Sequence, residues 1–84
     1  GIVGCGAIGR TLAQMGRSLG MRVLGHDPFL PPEVAVGEGV VRVPDFETLL
    51  RESDVVSLHC PPSERPLLDG HTLALIKPGA VVVN

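Results

Sequence analysis

Gly1-Ile2-Val3-Gly4-Cys5-Gly6-Ala7-Ile8-Gly9-Arg10-Thr11 opens the chain and decides how the rest is read. The segment is a strand stub, a glycine turn and the start of a helix. Gly4, Gly6 and Gly9 stand at the G-x-G-x-x-G spacing of a dinucleotide-binding turn. At the first glycine the chain turns tightly out of the strand. At the second, the missing Cβ lets the backbone approach a pyrophosphate. At the third, the helix can pack closely on the strand. An anion then sits at the helix N-terminus, where free N–H groups and the helix dipole both favour it.

Three glycines alone are a weak signal, so the context matters. Asp27 lies 18 positions after Gly9, close to the interval of about 20 expected for a carboxylate that accepts from the adenosine ribose hydroxyls. Asp also favours turns before proline, and Asp27-Pro28 is open to that plainer reading. Gly4, Gly9, Arg10 and Thr11 fall in the P-loop register too. That motif needs a lysine where Arg10 stands and has no use for Gly6, so the P-loop is rejected.

Outward from the turn, strand and helix signals alternate. Ile8, Leu12, Met15 and Leu19 form one apolar stripe on a helix from about 8 to 19, with Arg10, Gln14 and Arg17 opposite and Gly20 as its stop. Ala13 and Gly16 are small enough to let that helix sit close on a sheet. A strand is expected over 21–26, then a Pro- and Gly-rich loop over 28–40 with a short helical turn between Pro32 and Val36. A strand over 40–43 follows. Asp45 is a natural N-cap for a helix whose buried stripe is Phe46, Leu49 and Leu50. Residues 54–59 are a near-continuous apolar strand, as in a parallel sheet buried on both faces. A proline-rich loop over 60–66, a helix over 69–76 capped by Asp69, and a strand over 80–83 complete the chain. The alternation predicts an α/β, doubly wound parallel sheet of Rossmann type, with about five strands and helices on both faces.

Composition narrows the partners. The 84 residues carry a net charge of −2 and 2% aromatics. There is no basic stripe or stacking platform for nucleic acid, and no apolar run long enough for a membrane span. Cys5 and Cys60 suggest neither a disulfide framework nor a metal site, and fit a reducing, cytoplasmic setting. The chain opens inside a strand and stops on Asn84. Residues 1–84 are therefore expected to be one cofactor-binding domain cut at both ends, with the catalytic and substrate-binding domain outside them.

With the elements placed, the sequence resembles the nicotinamide-cofactor domain of the D-isomer-specific 2-hydroxyacid dehydrogenases. The resemblance is carried by Gly4-Cys5-Gly6-Ala7-Ile8-Gly9-Arg10, Leu19-Gly20-Met21-Arg22-Val23, His26-Asp27-Pro28-Phe29, the run from Ser53 to Pro61 and the run from Leu75 to Asn84. It implies NAD as cofactor, with the Ala7 and Ile8 N–H groups on the pyrophosphate and Arg10 near a phosphate edge. It further implies Asp27 on the ribose diol and His59-Cys60-Pro61 along the adenine and ribose side. Arg10 as a solvated helix residue is the competing reading. A carboxylate at Asp27 repels a 2′-phosphate, which predicts NAD over NADP. The family's catalytic arginine, glutamate and histidine would lie past Asn84, so no residue here is assigned to proton transfer, His59 included. The resemblance implies an oxidoreductase moving hydride between NAD(H) and a D-2-hydroxy or 2-oxo acid, working as a homodimer. A corepressor-like NAD sensor of the same family is one alternative. Another is a different NAD enzyme, such as an adenosylhomocysteinase or alanine dehydrogenase. His26, where an aromatic is usual, and the loop after Pro61, short and without the usual threonines, depart from the family pattern.

Overall fold

Ile2 and Val3 are adjacent, both buried, and belong to two different apolar clusters. Successive side chains of a strand point to opposite faces, so this strand is covered on both sides. It is β1 (Ile2–Val3) of a parallel sheet. The computed structural model describes residues 1–59 and 68–83. Within them the order continues with α1 (Ala7–Ser18), β2 (Leu24–His26), β3 (Val41–Arg42), α2 (Phe46–Glu52), β4 (Val55–Leu58), α3 (Gly70–Leu73) and β5 (Val81–Val83). The strands lie in the order β3-β2-β1-β4-β5, all pairings parallel. The first strand is central and the chain reverses direction across it, the doubly wound arrangement expected from the sequence.

One face of the sheet packs on α2: Val3, Leu24, Val43 and Val56 meet Leu49 and Leu50, which are wholly buried. On the other face Ile2, Cys5 and Val23 meet Ala13 of α1 and Val36 from the loop before β3. Val36 reaches the sheet because Gly25 of β2 leaves room; a Cβ there would lie 2.7 Å from a Val36 methyl.

The structure corrects the reading of α1. Its sheet-facing seam is Gly9, Ala13 and Gly16, not the large-residue stripe. Gly9 and Ala13 are buried, and a Cβ on Gly16 would come within 3.3 Å of Val23. The helix lies so close that no larger side chain fits beneath it. Ile8 and Leu19 therefore point aside, 72% and 78% exposed, with Met15 also exposed and only Leu12 half-buried. The helix ends with Gly20 N–H donating to Arg17 O and Met21 N–H to Gly16 O, a Schellman closure.

Smaller corrections concern element ends. No helix forms between Pro32 and Val36; the segment is a series of turns. Residues 21–23 precede β2 instead of forming part of it, and the third helix is a single turn, Gly70–Leu73. Its cap is as expected: Asp69 accepts from Thr72 N–H at 2.9 Å while the Thr72 hydroxyl accepts from Asp69 N–H at 2.8 Å, a capping box. Asp45 likewise accepts from Thr48 N–H at 2.7 Å. The proline-rich loop over 60–66 lies outside the described residues.

Candidate functional site

The end of β1 is held by β2. Gly4 N–H donates to His26 O at 2.9 Å, and Cys5 N–H donates to the Asp27 carboxylate Oδ2, also at 2.9 Å. The carboxylate expected to lie one strand from the glycine turn is thus bonded to the turn itself. Its second oxygen accepts from Phe29 N–H at 3.0 Å. Asp27 does form the turn before Phe29 that the plainer reading required. Each oxygen uses one lone pair for this, and a carboxylate offers about four acceptor sites, so capacity remains for two hydroxyl donors.

The three glycines separate by cause. Gly4 has φ of +87°, a conformation that side chains rarely adopt. A Cβ on Gly9 would collide with the Gly4 carbonyl oxygen. Gly6 is different. Its backbone, at φ −76° and ψ −166°, is open to any residue, and a Cβ there would meet none of the described residues within 4 Å. Among the described residues nothing asks for glycine at that position. The space above it is open to a group arriving from outside.

What could arrive is set by α1. Arg10 N–H makes the first helical bond, to Gly6 O at 2.9 Å, which leaves the N–H groups of Ala7 and Ile8 with no acceptor inside the helix. Asp45 and Asp69 cap the other two helices. Among the described residues, α1 alone has no side-chain cap, and its first turn carries no acidic residue. A 12-residue helix ending this way presents N–H groups and a positive dipole end to an anion. The residues present fit a dinucleotide: a diphosphate at the helix end, with space above Gly6, and a carboxylate beside it for the ribose.

His59 stands on the other flank. It follows β4, its N–H donates to Val3 O at 2.7 Å, and its Nε2 lies 2.6 Å from the buried Ser57 hydroxyl. With Ala7, Ile8, Thr11, Leu12 and Met15 it lines an open, mainly apolar groove of about 350 Å³. Asp27 and His59 therefore bracket the glycine turn from the two strands that neighbour β1. Cys60 and Pro61 lie outside the described residues. Cys5 is a buried thiol, and burial first, then the nearby Asp27 charge, pushes its pKa up.

Arg10 makes contacts that neither expectation named. Its Nε donates to Cys5 O at 2.8 Å and an Nη to Ala35 O at 3.0 Å. The guanidinium ties the glycine turn to the loop before β3. Carbonyl partners so far apart in sequence carry no signal readable from residue types.

Fold and site together define an α/β dinucleotide-binding domain. The family model described as D-isomer specific 2-hydroxyacid dehydrogenase, NAD binding domain, matches residues 1–84, and the chain belongs to that family as its NAD-binding domain. It is 48% identical to (S)-sulfolactate dehydrogenase of Chromohalobacter salexigens, over 100% of this chain and 28% of that protein. Among solved structures, apo D-lactate dehydrogenase from Escherichia coli superposes with a TM-score of 0.84 at 35% identity, covering 96% of this chain and 26% of that one. The NAD-complexed D-isomer specific 2-hydroxyacid dehydrogenase of Lactobacillus delbrueckii ssp. bulgaricus gives 0.83 at 29% identity, over 96% and 24%. The chain spans about a quarter of the length of these relatives.

Proposed function

We propose that this domain is the cofactor-binding part of an oxidoreductase that interconverts a D-2-hydroxy acid and its 2-oxo acid. The observation that carries the reading is one juxtaposition: an uncapped helix end with open space over Gly6 among the described residues, and the Asp27 carboxylate bonded to Cys5 N–H beside it. NAD, when bound, supplies the carbon that accepts or donates the hydride. The chain's own residues bind and orient. Ala7 and Ile8 donate their backbone N–H groups to the diphosphate. Asp27, fixed by Cys5 N–H and Phe29 N–H, accepts from the ribose hydroxyls. The Ile8, Leu12 and Met15 side chains keep the groove beside His59 apolar, and His59, with Cys60 and Pro61, lines the adenosine side. Substrate contacts and the acid–base groups come from outside these residues, and the intact protein works as a homodimer.

Asp27 decides the nucleotide. A fixed carboxylate accepts from a 2′-hydroxyl and repels a 2′-phosphate. In the intact protein, Asp27→Ala is expected to weaken NAD binding by roughly 10- to 100-fold, the scale of losing charge-assisted hydrogen bonds, and to leave NADP binding little changed. Titration calorimetry with both nucleotides checks it. Equal weakening of both would remove Asp27 from the ribose role.

A further inference from the structure

The connection from β2 to β3 begins at Asp27 and has no ladder of its own. Pro28, Pro31 and Pro32 contribute no N–H donors to it; two turns close within it, Leu30 N–H on Asp27 O at 3.3 Å and Val34 N–H on Pro31 O at 3.0 Å, and other carbonyls need partners from elsewhere. Over Asp27–Val34 one side chain binds both turns. Arg42, in β3, donates through Nη1 to Pro31 O at 2.8 Å and Val34 O at 2.6 Å, and through Nη2 to Asp27 O at 3.2 Å and Leu30 O at 2.8 Å. The two terminal nitrogens of a guanidinium carry four hydrogens, and here four carbonyls meet them. A lysine brings three donors in another geometry and cannot match the set. Arg42 is itself held in the sheet, in register with Gly25 of β2.

We propose that Arg42 is a positioning residue for the cofactor: it gathers the Asp27–Val34 backbone so that the Asp27 carboxylate stays on the glycine turn, where it meets the ribose. The ribose side chain and the residue that gathers its loop are thus two parts of one device. Without the guanidinium, Leu30 O and Val34 O lose this donor, and the two turns, closed at Asp27 and Pro31 by the Leu30 and Val34 N–H groups, are no longer tied to each other. The loop then opens from the end that carries Asp27. This inference rests on the ribose role given to Asp27 above.

The test is a double-mutant cycle in the intact protein, with NAD affinity measured for wild type, Arg42→Met, Asp27→Ala and the double variant. Arg42→Met is expected to weaken NAD roughly tenfold, about the loss of one charge-assisted hydrogen bond. Arg42→Lys should recover part of it. The double variant should bind no more weakly than Asp27→Ala alone, because Arg42 acts through Asp27. A merely structural arginine would lower the melting temperature and weaken NAD by the same factor in both backgrounds; that additive result overturns the proposal and leaves the ribose role standing. Unchanged NAD affinity in Arg42→Met overturns it too. If Arg42→Met does not fold, the same cycle with Arg42→Lys decides. Should Asp27→Ala itself leave NAD affinity intact, the ribose role fails, and this inference falls with it.

Discussion

Gly6 and Gly9 are three positions apart and answer to different forces. Gly9 is required by the fold, because a Cβ there strikes the Gly4 carbonyl. Gly6 has no such neighbour among the described residues, and in the proposed function it is the diphosphate that leaves no room for a side chain there. Gly9→Ala should therefore destabilise the protein by about 1–3 kcal/mol, as overpacking does, with a lower melting temperature. Gly6→Val should keep the melting temperature within a few degrees and lose NAD binding. A Gly6→Val protein that still binds NAD would reduce the motif to a turn. At this scale the sequence was informative wherever a residue type answers to one cause. The G-x-G-x-x-G spacing and the distance to Asp27 were enough to place a carboxylate beside the turn, and the structure bonds it there. Arg10 and Arg42 were not legible, since their partners are backbone carbonyls that any residue type would offer.

For the elements, capping separates α1 from α2 and α3. Asp45 and Asp69 close their own helices. Hydrogen bonds from the hydroxyl and backbone N–H of Thr48 hold Asp45 below the usual carboxylate range, and those from the backbone N–H and hydroxyl of Thr72 do the same for Asp69. A carboxyl group whose pKa is depressed in the folded state contributes stability that is complete above its unfolded pKa and is lost as pH falls through the folded value. The caps should thus stabilise in full above about pH 4 and weaken below it. Replacing both by asparagine, which caps without titrating, should flatten the fall in melting temperature between roughly pH 4 and pH 2; an unchanged slope would show that these caps do not contribute to it. Both caps were visible in the sequence because a short polar side chain before an apolar run has a local cause. The burial of α1 was misread for the opposite reason. Periodicity reports which residues share a face, but how closely a helix approaches its sheet depends on Gly9, Ala13 and Gly16 meeting β1 and β2 in space.

Across the whole molecule, alternating strands and helices made the doubly wound sheet legible, and the strand order set β1 at its centre. What the sequence could not convey is how much apolar surface these residues leave open. Ile8, Met15, Leu19 and Met21 are exposed along α1 and just after it, and Val81, Val82 and Val83 are exposed on the edge strand. Exposed apolar side chains in such number are expected to be covered in the intact protein. The 84 residues expressed alone should bind a hydrophobic dye and self-associate in sedimentation, while the intact protein does neither to the same degree; a monomeric, dye-free domain would show that this surface needs no cover.

The central claim is that a diphosphate rests on bare backbone at the start of α1 while a carboxylate from the neighbouring strand takes the sugar. A crystal structure of the intact protein with NAD measures this directly. The account predicts pyrophosphate oxygens within hydrogen-bond reach of the Ala7 and Ile8 N–H groups, passing over Gly6, and the adenosine ribose hydroxyls on Asp27. A nucleotide bound elsewhere, or a ribose turned away from Asp27 with the diphosphate off the helix end, would contradict it.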